Sequence, residues 1–87
     1  MASYKVLIKA SAAKELEALP NRKIRWRLVE RIRALADDPR PAGREKLSGY
    51  KDRYRVRQGV YRVVYLVSDE ERLVYVVKVG HRKDVCR

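Results

Sequence analysis

Eighty-seven residues suffice for one hydrophobic core and not for two, so residues 1–87 are expected to form one domain. Twenty-two Lys and Arg against eleven Asp and Glu give a net charge of +11, which points to a polyanionic partner, nucleic acid or an acidic protein. A hydrophobic content of 46% excludes a disordered tail, no apolar run approaches the roughly 20 residues of a membrane span, and a single cysteine, Cys86, admits no internal disulfide.

The opening MASYKVLIKA has neither the long apolar stretch nor the small-residue cleavage site of a signal peptide. Together with the lone cysteine this gives the expectation of a reducing, cytoplasmic setting without membrane attachment. Residues 4–9 alternate weakly and are rich in strand formers, so they read as a first strand. Ser11 is placed to cap a short helix running through Leu19, with Glu15 early enough to suit the helix dipole. Asn21 is placed to cap a second helix reaching about Asp37, in which Ile24, Leu28, Ile32 and Leu35 recur at helical spacing and form one buried stripe. Trp26 lies off that stripe, either exposed as an anchor for a partner or packed against the first helix or a loop. Asp38-Pro39-Arg40-Pro41 ends the helix, because the residue before a proline avoids helical angles.

Residues 39–51 read as a long charged loop, followed by three strands over 53–57, 60–67 and 72–79. Gln58-Gly59 joins the first two and residues 68–71 join the next two, both at hairpin length. The expected class is α+β: a strand, a helical hairpin, then an antiparallel three-strand meander with the first strand alongside in one sheet. VYRVVYLV and RLVYVVKV are apolar on both faces, and the helices cover only one. The other face either meets a protein partner or is covered by the loop and the C-terminal tail.

The chemistry concentrates in YRVRQGVYRVVY. Between Arg40 and Arg62 stand eight basic residues against Glu45 and Asp52, a local net of +6. A two-residue turn at Gln58-Gly59 would pair Arg57 with Val60, Val56 with Tyr61 and Arg55 with Arg62. Arg55, Arg57 and Arg62 would then share a face, with Arg55 directly opposite Arg62. Opposed like charges destabilise a sheet. Either a phosphate sits between these guanidiniums, whose planar forks match its oxygens, or the face is solvated and partnered by Asp or Glu. One histidine and one cysteine make no zinc tetrad, the carboxylates form no paired-acid motif, and no glycine-rich nucleotide loop occurs. No metal or cofactor is therefore expected. Cleavage of a phosphodiester would rest on arginine charge and on His81 for proton transfer, which suits RNA because RNA brings its own nucleophile, the 2′-OH. His81 is otherwise a turn histidine without such a role.

Over the whole chain, the paired blocks KLSGYKDRYRVRQGVYRVVYLV and VYVVKVGHRKDVCR resemble the RelE/ParE superfamily of type II toxin–antitoxin toxins, and the RelE-like members in particular. The resemblance implies a RelE-like fold of the microbial ribonuclease type and a wrapping, acidic, RelB-like antitoxin. It further implies operator DNA bound only through the antitoxin complex, and metal-independent cleavage of mRNA on the ribosome. It assigns Arg55, Arg57, Arg62 and Arg82 to the scissile phosphate and its transition-state charge, and His81 to acid–base work. Lys46, Lys51, Arg53 and Lys83 fall to RNA binding. Where many relatives carry a catalytic or base-stacking tyrosine near the C-terminus, this chain has Cys86, whose thiol cannot stack on a base. Two rival readings follow: a ParE-type toxin acting on DNA gyrase, and a catalytically weakened toxin acting by binding.

Overall fold

The computed structural model describes residues 3–81. Strand β1 (Lys5–Ile8) leads into helices α1 (Ala10–Glu17) and α2 (Arg22–Ala34), followed by strands β2 (Glu45–Lys46), β3 (Arg53–Gln58), β4 (Tyr61–Ser68) and β5 (Leu73–His81). The strands form one sheet in the order β1-β5-β4-β3-β2, with β1 parallel to β5 and every other pair antiparallel. The α+β class and the central meander are as expected. The fifth strand, β2, is new: two residues of the supposed loop pair with β3 and extend the sheet on that side.

Asn21 caps α2 as its sequence indicates, its Oδ1 accepting from the Ile24 N–H at 3.0 Å. Leu28 and Ile32 are buried from that helix, Leu35 is buried at its C-cap, and Ile24 packs at the margin. The helix ends at Ala34 rather than near Asp37. In α1 the expected cap is displaced. The Lys9 N–H is bonded to the Val76 carbonyl at 2.8 Å, so the ladder of β1 runs to the helix start and Lys9 takes the N-cap position. Ser11 thereby falls inside the first turn, where it caps nothing, and the helix stops at Glu17 rather than Leu19.

Both helices cover one face of the sheet. Ala12, Leu16, Leu28, Ile32 and Leu35 close on Tyr54, Val56, Val63, Tyr65, Val67, Val74, Val76 and Val79. Val76 and Val79 are an odd number of residues apart, and simple alternation would send them to opposite faces. A bulge resolves this: Tyr65 pairs with Val76 and Val64 with Lys78, leaving Val77 as the extra residue. Tyr65 is fully buried, donates its hydroxyl to the Pro39 carbonyl at 2.7 Å, and has its phenol pushed up to about 12 by burial. β1 pairs only as far as Val76, so the upper part of β5 lacks a strand on that side. Glu15 of α1 fills in, accepting from the Val79 N–H at 3.0 Å and from Lys78 Nζ at 2.7 Å. Burial opposes that carboxylate's charge, yet the Lys78 and Val79 bonds leave its pKa below the ordinary carboxylate value.

The second face of the sheet is partly closed by the chain itself. Leu47, just past β2, packs on Val64 with Val77 beside it, while Leu66 and Tyr75 stay half-buried. Of the two readings of this face, loop cover therefore accounts for its centre. Among the described residues no helix is long and apolar enough to cross a membrane.

Candidate functional site

Alternation along β3 sends Tyr54 and Val56 into the core and Arg53, Arg55 and Arg57 to the face away from the helices. On β4 the same face carries Arg62, Val64 and Leu66. The three arginines of the central motif thus share a face as expected, but the register between them differs. Arg57 stands opposite Arg62, Arg55 opposite Val64, and Gln58 closes the hairpin against Tyr61. The turn is Gly59-Val60, with Gly59 at φ 63° and Val60 outside the positive-φ region. That is the arrangement of a hairpin turn with glycine at its first central position. Centring the turn on Gln58-Gly59 would have left glycine at the second position and put Gln58 at the first, where hairpin turns require positive φ. The shift of two residues preserves the face and exchanges the partner: Arg57, not Arg55, is the arginine opposed to Arg62.

These guanidiniums are held differently. Arg55 is the anchored one, with its side chain only 16% exposed and its Nε donating to Glu45 Oε1 at 3.0 Å. Arg57 is 59% exposed and reaches the other oxygen of the same carboxylate through Nη2 at 3.4 Å. Glu45 arrives on β2, directly opposite Arg55. An acidic partner therefore does exist for two of the arginines, delivered by β2 from the charged segment between α2 and β3. The Arg55 hydrogen bond, with the charges of Arg55 and Arg57, holds the Glu45 carboxyl below its ordinary value. Arg62 has no hydrogen-bond or ion-pair partner among the described residues, and its Nε is buried. Its other neighbour in the ladder is Gly80, which carries no side chain. The upper half of this face therefore presents the Arg57–Arg62 rung beside a fixed Arg55, bounded by one carboxylate. Guanidiniums so arranged can share the oxygens of a phosphate and balance charge that builds on them.

The remaining candidates distribute as follows. Arg53 lies lower on the same face, opposite Leu66, with its guanidinium over the Tyr50 ring at 4.2 Å. Lys46 pairs with Tyr54, so the register gives it the other face from Glu45 and the arginines. Lys51 lines a groove of about 550 Å³ at the lower end of the open face, floored by Leu66, Leu73 and Tyr75 and edged by Glu70 and Glu71. The open face is thus cationic at its upper end, while the groove at its lower end mixes Lys51 with Asp52, Asp69, Glu70 and Glu71. His81 is the last residue of β5 rather than part of a tail, because Gly80 and His81 continue the ladder against Arg62 and Tyr61. Its ring meets Tyr61 edge-on with centroids 5.8 Å apart. Tyr61 packs on the main core, so His81 stands on the helix-facing side, one rung from Arg62 but across the sheet. Arg82, Lys83 and Cys86 lie outside the described residues. Among those described, no group of three or more His, Cys, Asp or Glu gathers where it could hold a metal ion. Glu45 and Gly80 carry no signal of their part in this site in the sequence, because both act through cross-strand pairing, which a two-residue strand and a strand extended by two residues do not announce.

Comparison with known proteins agrees with this geometry. The model of the family described as the ParE toxin of the type II toxin–antitoxin system parDE matches residues 6–85. A RelE-like toxin protein of Escherichia coli is 34% identical over 83 residues, covering 92% of this chain and 84% of that protein. Among solved structures, the isolated Escherichia coli RelE toxin superposes with a TM-score of 0.78 at 31% identity, over 90% of this chain and 83% of that one. A chain of the toxin–antitoxin complex RelBE2 of Mycobacterium tuberculosis gives 0.79 at 28% identity, over 92% and 99%. A sheet with two helices on one face and an arginine cluster on the other, matched in sequence almost end to end, places the chain in the RelE/ParE superfamily of type II toxin–antitoxin toxins.

Proposed function

We propose that this toxin is a metal-independent endoribonuclease that cuts mRNA on the ribosome and so inhibits translation. The observation that carries the reading is the Arg57–Arg62 rung, two like charges held opposite each other with Arg55 alongside. Such a rung costs the free protein stability, and an anion between the guanidiniums removes that cost. In the reaction the RNA 2′-OH attacks its own phosphorus, its proton passes to a base, and the 5′-oxygen leaves with a proton from an acid. Arg55, Arg57 and Arg62 hold the phosphate and balance the charge that grows on its oxygens, with Arg82 as a fourth cation. Arg53 and Lys51 extend backbone binding down the face, with Lys83 beside Arg82. Lys46 serves only RNA that crosses the sheet edge, since its register gives it the opposite face. His81 acts as acid or base for RNA that passes the upper end of the sheet, where its rung adjoins that of Arg62.

The partner of the free toxin is an acidic, RelB-like antitoxin, and operator DNA is met only through that complex. The relative from Mycobacterium tuberculosis is seen in such a toxin–antitoxin complex. One observation favours a second reading, a ParE-type toxin acting on DNA gyrase: the matching family is described as the ParE toxin of parDE. Primer extension on mRNA after induced expression separates the two. Cuts within translated codons that vanish in Arg62→Ala are expected. Growth arrest with intact mRNA and gyrase-dependent DNA damage would sink the ribonuclease reading.

A further inference from the structure

The solvent face of α2 is not used by the arginine site. Six of its thirteen residues are basic (Arg22, Lys23, Arg25, Arg27, Arg31, Arg33), against the single acid Glu30. In their midst Trp26 is 62% exposed, and its indole makes no hydrogen-bond, ring or cation–π contact with any described residue. At about 100° per residue, Arg22 and Arg33 fall within roughly 40° of Trp26 and Lys23 within roughly 60°. Glu30 shares that face but is tied to Arg33 at 3.7 Å, and Arg25 is occupied by the Leu19 carbonyl at 3.0 Å. The result is a largely exposed aromatic ring, bracketed along the helix by cations.

We propose that this face binds single-stranded RNA, with a base stacked on Trp26 and neighbouring phosphates on Arg22, Lys23 and Arg33. Charge selects a polyanion. The composition then selects among polyanions. A protein interface concentrates apolar side chains and depletes charge at its centre, whereas here Trp26 is the one exposed large apolar side chain of the helix, set among Arg22, Lys23, Arg33 and Glu30. A membrane-surface helix needs its apolar stripe free, and that of α2, Leu28 and Ile32, is buried in the core. Stacking on an indole needs an unpaired base, which a duplex does not offer. The helices and the arginine rung occupy opposite sides of the sheet, so this contact is a second one and stands whether or not the rung cleaves RNA.

Trp26 is the only tryptophan in the chain, so its emission reports on this face alone. The test titrates the full chain with a mixed-sequence 2′-O-methyl RNA about twelve nucleotides long, within the usual range of single-strand sites and unable to self-cleave. Tryptophan quenching is expected, and it should persist in Arg62→Ala. With labelled RNA, Trp26→Ala should weaken binding about tenfold and Trp26→Phe by much less, as expected when a stacking ring is removed or kept. RNA binding without any change in Trp26 emission would overturn the proposal while leaving the arginine site intact. Loss of the quench in Arg62→Ala would do the same, since it would make the two faces one. A response to polyglutamate or to phosphatidylglycerol vesicles with none to RNA would reassign the face to an acidic protein or a lipid surface and also overturn it.

Discussion

Arg62 shows how a single side chain can be badly placed for stability and well placed for an anion. It stands opposite Arg57 in the ladder, its Nε is buried without a described partner, and Glu45 engages Arg55 and Arg57. Removing the charge while keeping the stem should therefore stabilise the free protein. Arg62→Met is expected to gain about 1 kcal/mol, from relief of like-charge opposition and of an unsatisfied donor. The check is the denaturant midpoint at unchanged slope; a loss of stability would mean that the rung is already neutralised in the free protein. At this scale the sequence was informative about type and face. Alternation along each strand, joined by a two-residue turn, put Arg55, Arg57 and Arg62 together. It was uninformative about which arginine opposes which, because one residue of turn placement moves every partner by two.

At the scale of elements, the lower end of the sheet is tied by one side chain from the segment after α2. Arg40 donates to Tyr54 on β3 at 2.9 Å and grips both oxygens of Asp69, in the β4–β5 turn, at 3.1 and 3.0 Å. Tyr4, just before β1, donates to the same carboxylate at 2.6 Å. The Arg40 hydrogen bonds, then that of Tyr4, hold the Asp69 carboxyl below its ordinary value, and Asp69 with Tyr54 raises the Arg40 guanidinium further. A carboxylate that binds its proton more weakly folded than unfolded gives stability that is complete above the unfolded value. That stability drains away as pH falls through the folded one. Glu15 and Glu45 shift in the same direction, so the protein should lose stability progressively below about pH 4.5. In Asp69→Asn this acid limb should be shallower, measured as denaturant midpoints from neutrality to about pH 2.5. An unchanged limb would show that the knot does not couple to folding. Arg40→Lys should give up most of what Arg40→Ala does, because an ammonium cannot reproduce the fork.

Over the whole molecule, +11 is not spread evenly. One cationic patch caps the upper open face and another covers α2, while Glu70 and Glu71 edge the lower groove. RNA affinity should therefore fall steeply with salt. Replacing Arg55, Arg57 and Arg62 together by Ala should lower the log–log salt slope by about 2, at roughly 0.7 per phosphate contact on a single strand. A slope unchanged by that triple replacement would remove the rung from the RNA footprint. Composition and local pattern by themselves determined a great deal: an α+β chain, a capped α2 with its buried stripe, a hairpin meander, a basic strand pair and a metal-poor inventory. Those properties follow from charge, periodicity and turn chemistry within a few residues. Only the tertiary structure decided that Glu45 would reach the arginines, that Arg57 would be the residue opposed to Arg62, and that His81 would stand across the sheet from them. Each of those outcomes depends on register between strands, and register is settled by glycine placement, bulges and core packing acting on the sheet as a whole.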